Sequence, residues 1–475
     1  MKRAKRLYCL LAILAVVCVA TFFVVRHQEK QEEIRNSGET VLALSSDAVQ
    51  SLSWTYEDQS LAFHKEDSWL YDEDSEFPVD QEKVEELLGL FEDFTAAFII
   101  KDVTDYAQYG LDDPTCTIQL AAGEQSYEIT LGNYSTMDSQ RYVSLGDGNV
   151  YLVNTDPMDY FEISLSDMIQ HDETPEFDTV EEIQLSGNES YEIVYQEYTE
   201  DSPYTYCSDD VYFKKEGDDL LPLDTSLVDD YLSSITNLTL TDYKTYRATD
   251  EDLATYGLDD PELTITVTYT PETEEDAQAE AETFTLSISR DPEERQAPQE
   301  ETDSSSDAAE EEEEDIVAYV RVDQSGIIYQ ISGSSYTTLM AAGYDDLRHH
   351  EVFPADSSIL TGMDVVLDGE SYSITSQGSG EDQVFYYNEE ELDLTNLLSA
   401  LEALSAERFT GKTPTQAEEL DLTLYLDNQV HSQVHIQLYR YDGESCLAVI
   451  DEVPVSLVPR SDVVDLVEAI HAIVL

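Results

Sequence analysis

The sequence predicts an α+β chain: tandem repeats of a mostly antiparallel sheet with a packed helix, plus one N-terminal transmembrane helix. Three observations predict it. The hexapeptide Tyr109-Gly110-Leu111-Asp112-Asp113-Pro114 returns unchanged as Tyr256-Gly257-Leu258-Asp259-Asp260-Pro261. Many short runs alternate apolar with polar residues, the two-residue period of strands packed on one face. A run without charge, Leu7 to Val25, follows the cations Lys2, Arg3, Lys5 and Arg6.

The hexapeptide reads as a joint where a short helix stops and a strand starts. Thr104 and Thr249 stand where a side-chain oxygen would cap the preceding helix. Glycine fits the left-handed position just past a helix end, and the Leu after it can fold back on the last turn. Asp-Pro then forbids more helix. The runs Thr115 to Leu120 and Glu262 to Tyr269 follow as strands. The two Asp pairs could also be read as a catalytic or metal dyad, but turn chemistry explains every residue.

Around the joints the chain repeats at larger scale. Asp80 opens a helix with Val84, Leu87, Leu88, Phe91 and Phe94 on one face. Asp224 opens another with Val228, Tyr231, Leu232, Ile235 and Leu238, and Leu392-Asp393 a third with Leu397, Ala400, Leu401 and Leu404. A strand pair precedes each: Leu52 to Phe63, Ile183 to Tyr195 around Gly187-Asn188, and Val365 to Ile374 around Asp368-Gly369. Three further strand-like runs end each copy. In the third copy Leu420-Asp421 stands in for the joint, without its Gly and Pro. The expected organisation is a cytoplasmic basic tip 1–6, a transmembrane anchor 7–25, a stalk 26–40, and α+β unit 1 at 41–178. Unit 2 follows at 179–350 with an acidic disordered insert 290–315, and a degenerate unit 3 at 351–475.

The N-terminal anchor, the Tyr-Gly-Leu-Asp-Asp-Pro joint and the strand-rich flanks resemble a bacterial membrane-anchored family, the domain of unknown function DUF4340. The resemblance covers nearly all of the chain outside the anchor and the acidic insert. It is most specific at the hexapeptide and weakest in the third unit. Relatives that lie beside ABC-type transporter components imply an accessory role at the cell envelope. The resemblance supplies no catalytic residues.

Nineteen residues from Leu7 to Val25 would make a helix of roughly 28 Å, close to the hydrocarbon thickness of a bilayer. The cations before it favour a cytoplasmic N-terminus and an extracytoplasmic body. A cleaved signal peptide is the alternative, but the run is long and no small-x-small site closes it. The five cations up to Arg26 leave 18 for the rest of the chain, against all 103 acids. Such a body repels nucleic acid and anionic lipid and attracts cations or basic partner surfaces, or is simply a solvated acidic coat. The insert Arg290 to Asp315 is half acidic, 13 of 26 residues, with no apolar periodicity. A floppy loop of that kind chelates Ca²⁺ poorly beside a preformed cage.

The sequence calls for no catalytic, cofactor-binding or metal-binding residues. Cys116, Cys207 and Cys446 are widely spaced and give neither a disulfide framework nor a metal knuckle, and Cys116 and Cys446 fall in strand-like runs as buried small side chains. His431 and His435 lie beside a strand, about 13 Å apart if both are extended. His349-His350-Glu351, the densest polar cluster, reads as a surface turn. There is no GxSxG elbow, no P-loop and no dinucleotide fingerprint. Many of the 31 Tyr are assigned to strand-like runs, where sheet packing explains them: Tyr127, Tyr142, Tyr151, Tyr191, Tyr195, Tyr212, Tyr319, Tyr329, Tyr425 and Tyr439.

The expectation is therefore a membrane-anchored extracytoplasmic binding or assembly protein, not an enzyme. No cofactor is called for and no nucleic-acid partner. An envelope protein partner is expected, with ABC transporter components as candidates. Two alternatives stand beside it: an extracytoplasmic binder of a divalent cation or cell-wall polysaccharide, and a carboxylate-based hydrolase.

Overall fold

The structure, a computed structural model, describes residues 38–272, 280–295, 316–378 and 383–474. It contains three nine-stranded sheets, antiparallel throughout. The chain divides into two compact units, Met1–His171 with the first sheet and Asp172–Leu475 with the second and third.

The first unit contains β1 (Glu39–Leu42), β2 (Val49–Tyr56), β3 (Gln59–Lys65), β4 (Trp69–Tyr71), helix α1 (Gln81–Gly89) and β5 (Phe94–Ile100). After the first joint come β6 (Cys116–Ala122), β7 (Gln125–Ser135), β8 (Gln140–Ser144), β9 (Val150–Val153) and the single helical turn α2 (Met158–Phe161). The second sheet repeats the plan with β10 (Thr179–Gly187), β11 (Ser190–Tyr195), β12 (Tyr212–Glu216), β13 (Asp219–Pro222), α3 (Thr225–Thr236) and β14 (Tyr243–Thr245). The helix α4 (Asp250–Thr255) leads into the second joint. It is followed by β15 (Leu263–Thr270), β16 (Glu282–Arg290), α5 (Pro292–Arg295), β17 (Ala318–Val322), β18 (Ile328–Ile331), α6 (Gly333–Met340) and α7 (Tyr344–Leu347). The third sheet has β19 (Leu360–Leu367), β20 (Glu370–Gln377), β21 (Val384–Tyr387), β22 (Glu390–Leu392), α8 (Thr395–Glu402) and β23 (Arg408–Phe409). Then come β24 (Glu418–Leu426), β25 (Gln433–Arg440), β26 (Ser445–Ile450), β27 (Val453–Pro459) and α9 (Arg460–Val474).

One topology underlies all three. An opening meander runs to one edge, a helix crosses the face, and a single strand lands on the far edge. A closing meander then fills the gap between them. The spatial orders are β13-β12-β11-β10-β15-β16-β17-β18-β14 and β22-β21-β20-β19-β24-β25-β26-β27-β23. The first sheet reads β4-β3-β2-β6-β7-β8-β9-β5, with β1 added outside β5. It lacks the last strand of the opening meander and gains one at the opposite edge.

The sequence explains these elements locally. In β15 the apolar Leu263, Ile265, Val267 and Tyr269 are buried and the threonines between them are less so; in β24 Leu420, Leu422, Leu424 and Leu426 play the same part. The two-residue turn Asp368-Gly369 takes positive φ at both positions, as a tight antiparallel hairpin requires. Asp80 caps α1 by accepting from the Lys83 N–H at 3.0 Å, and Asp224 caps α3 through the Ser226 N–H at 2.9 Å. Asp393 is expected to cap α8 in the same way, but Leu394 holds the cap position and Asp393, one residue earlier, accepts from the Thr395 N–H at 3.0 Å. Most of each helix face named from the sequence is buried on its helix: Val84, Leu87 and Leu88; Val228, Tyr231, Leu232 and Ile235; Leu397 and Leu401. The helices end sooner than expected: Phe91, Leu238 and Leu404 are buried just past them, Phe94 opens β5, and Ala400 is half-buried. Burying each such aliphatic side chain stabilises by about 1.5–3 kcal/mol. All ten tyrosines assigned to strands lie on strands.

The two joints have like surroundings. Gly110 and Gly257 both have φ +70°. The Leu111 N–H donates to the Tyr106 carbonyl at 3.2 Å, and the Leu258 N–H to the Leu253 carbonyl at 2.8 Å. Both leucines are buried. The ring of Tyr109 packs on Tyr142 of β8 at 5.0 Å, and Tyr256 packs on Tyr319 of the equivalent β17 at 4.7 Å.

Several expectations are corrected. Thr249 caps α4 in a reciprocal pair with Asp252, but the first joint follows only a single turn, Ala107–Tyr109, where Asp105 rather than Thr104 accepts the Ala107 N–H at 3.3 Å. Leu420-Asp421 is not a joint. It lies inside β24 at the register of Leu263, because two residues are too little sequence to fix a position in a leucine-rich strand. The stalk expected at 26–40 ends early, since Glu39 and Thr40 already pair in β1. The expected insert is shorter too: Arg290 completes β16, Pro292–Arg295 form a helical turn, and residues 296–315 lie outside the described residues. The expected basic tip and the membrane span Leu7 to Val25 also lie outside them. Among the described residues no helix is long and apolar enough to cross a membrane.

Candidate functional site

Among the described residues, chemistry-bearing side chains gather where the second and third sheets meet within the second compact unit. It starts from the loop 196–211 between β11 and β12. This loop leaves the second sheet and puts Cys207 into the core of the third, beside Phe353, Ala355 and Leu360. Tyr206 stacks on Phe353 at 5.7 Å, and the Tyr198 hydroxyl accepts from Asn428 at 3.4 Å. Thr205 holds the loop's shape: its hydroxyl accepts the Cys207 N–H at 2.9 Å and donates to the Asp210 carboxylate.

Asp210 is 1% exposed, so its charge requires a partner. His349, just after α7, supplies it with Nε2 2.7 Å from the carboxylate. The other ring nitrogen, Nδ1, faces Asp224 at 3.8 Å and Glu351 at 4.0 Å. Backbone bonds fix this segment: the Asp224 N–H donates to Leu347 at 3.0 Å, Val352 to Leu404 at 3.0 Å, and Ala406 to His350 at 2.7 Å. Burial opposes a charge on His349, but the Asp210 hydrogen bond and the three nearby carboxylates outweigh it and raise its pKa above the ordinary value. Burial pushes the Cys207 thiol up to about 12. That thiol is a poor nucleophile while its proton remains, and it donates to the Pro354 carbonyl at 3.8 Å.

Cys207, Asp210 and His349 offer ligand atoms that all lie within 4.8 Å of one another, and so do Asp224, His349 and Glu351. A cleft of about 360 Å³ opens onto them, bounded also by Asp209, Glu402 and Asp356. The reading of His349-His350-Glu351 as a surface turn is thus corrected. The His349 side chain is 16% exposed and bound to a buried acid. His350 turns the other way, edge-on to Phe409 at 5.2 Å. The reason is long-range packing, since the partner of His349 stands 139 positions earlier.

The other residues weighed from sequence do not converge. His435 lies in β25 with Nε2 3.0 Å from Asp421, while His431 precedes the strand and its ring packs edge-on to Tyr206 at 6.1 Å. Asp112-Asp113 and Asp259-Asp260 are exposed turn residues. Cys116 and Cys446 are buried in β6 and β26.

The family described as Domain of unknown function (DUF4340) matches residues 69–261 and again residues 214–423. The chain belongs to this family. Each DUF4340 match runs from the end of one opening meander through a helix, a closing meander, the next opening meander and the helix and edge strand that follow it. The first ends on the Pro of the second joint and the second ends inside β24. Cys207 and Asp210 fall in the first match, His349 in the second, and Asp224 in both. No curated protein and no solved structure matches the chain.

Proposed function

We propose that this DUF4340 protein is a membrane-anchored, extracytoplasmic, non-enzymatic binding or assembly protein that serves an envelope complex, with ABC-type transporter components as its partner class. The observation that carries this reading is the threefold reuse of one sheet topology. Repetition of one block presents the same kind of surface several times along a chain, which suits recognition of another macromolecule. Three further features support it. The uncharged run Leu7 to Val25 follows four cations and precedes a body with 103 acids, a charge that keeps the body soluble and attracts basic surfaces. The thiol beside His349, Cys207, is held protonated by burial rather than activated. His349 is occupied by a buried acid that orders the meeting of two sheets.

Fractionation of cells producing the full chain, with protease added outside, tests the reading. The chain should stay with the membrane through an alkaline wash, its body should be cut in intact cells, and crosslinking should capture an envelope transport component. A body that is protected in intact cells, or a chain released by the wash, would overturn it.

A further inference from the structure

We propose that Cys207, Asp210 and His349 form a site for one divalent transition ion of the zinc class, which clamps the second sheet to the third. The proposal goes beyond the binding or assembly reading and does not depend on it.

The donor set fits the ion. One thiol, one carboxylate and one imidazole make a mixed S/O/N set, which selects zinc-class ions over Ca²⁺ or Mg²⁺. In a tetrahedral zinc site such donors stand roughly 3.3–3.5 Å apart. Here the three ligand atoms already lie within 4.8 Å of one another. The 2.7 Å contact between His349 and Asp210 must open by roughly 0.6–0.8 Å to admit the ion. The surroundings of the ring fit as well. A metal-bound imidazole commonly directs its other N–H at a carboxylate. Nδ1 of His349 faces Asp224 at 3.8 Å and Glu351 at 4.0 Å, which favours the tautomer that leaves Nε2 free to ligate. The fourth position faces the cleft of about 360 Å³, which has room for water.

Binding is proton-coupled. The Cys207 thiol proton and the proton shared by His349 and Asp210 leave to solvent, and the ion takes their place. Affinity therefore rises with pH. The ion would join residues of the loop 196–211 to the segment after α7, and so fix how the second sheet meets the core of the third.

The test uses the full chain, stripped by chelator and titrated with Zn²⁺ or Co²⁺ in physiological salt. Excess Mg²⁺ is included to suppress diffuse binding to the acidic surface. The expected result is one Zn²⁺ per chain at submicromolar affinity, and a Co²⁺ complex with a thiolate-to-metal charge-transfer band. Cys207→Ser should abolish that band and weaken Zn²⁺ by about 100-fold or more, beyond the 10–100-fold that loss of an outer-shell partner costs. Asp224→Asn should weaken it by about 10-fold, and Cys446→Ser should change neither readout. A wild-type Co²⁺ complex without the charge-transfer band would overturn the proposal whatever the variants do. So would Zn²⁺ affinity that is equal in Cys207→Ser and wild type.

Discussion

At Gly110 and at Gly257 the backbone makes the same left-handed turn, yet the strands beside the two joints differ at one decisive position. Leu131 pairs with Cys116 and Ile288 with Leu263, and Cys116 and Leu263 each stand five residues past the joint leucine. The next residue is Gly132 in β7 and Ser289 in β16. A Cβ on Gly132 would collide with the Tyr109 carbonyl oxygen. Ser289 carries its Cβ without difficulty, fully buried. The second joint instead leaves room for a clasp: Arg295 donates to the carbonyls of Gly257 at 2.8 Å and Asp260 at 3.0 Å. Beside it Arg290 donates to Glu262 at 2.8 Å. The hexapeptide thus encodes the turn, while the neighbouring strand sets how closely the turn approaches. Two copies with one local code have diverged through compensating changes around it.

The largest effect should come from exchanging the two neighbours. Gly132→Ser drives a side chain into a backbone carbonyl and should destabilise the first unit by about 3 kcal/mol, the upper range for overpacking. Ser289→Gly should cost the second unit only about 1 kcal/mol, for lost side-chain hydrogen bonding and added chain freedom. Denaturant unfolding of each variant measures both. Equal losses would erase the distinction between the joints.

A smaller contrast separates the glycines themselves. Alanine in the left-handed region costs about 1–2 kcal/mol at either site. At Gly110 the three atoms nearest to the new Cβ all belong to the side chain of Asn133, which is exposed and can swing away. At Gly257 it meets Ser289 Oγ at 2.6 Å and the Arg295 guanidinium at 2.7 Å. Gly257→Ala should therefore lose roughly 1 kcal/mol more than Gly110→Ala.

The smallest effect is electrostatic. Burial works against the Glu262 charge, but the hydrogen bonds and charge of Arg290 outweigh it and hold the carboxyl below its ordinary pKa. A depressed folded pKa gives stability that is present above the unfolded value and lost as pH falls through the folded one. Acid titration of unfolding should show this loss in the second unit, and Glu262→Gln should flatten it.

How far the sequence reveals the molecule depends on how local each signal is. Hairpins such as Asp368-Gly369, the Asp-capped helices and both joints are legible because each is written within about ten consecutive residues. The helix Arg460–Val474 carries Val463, Leu466 and Ile470 at helical spacing and could have been found the same way, but the strand pattern before it drew the reading. The His349 site is different. Cys207 and Asp210 come from an irregular loop, Asp224 from a helix cap and His349 from a segment more than a hundred residues later, and no short spacing announces them. Only the fold of the second compact unit brings them together.

The central claim is that one sheet-and-helix block was copied three times. Amide hydrogen exchange along the full chain tests it most directly. Three separate maxima of protection are expected, at β2 with β6, β10 with β15 and β19 with β24, each falling toward the edge strands β4, β13 and β22. A single protected block, or a third sheet that exchanges as fast as the loops, would contradict it.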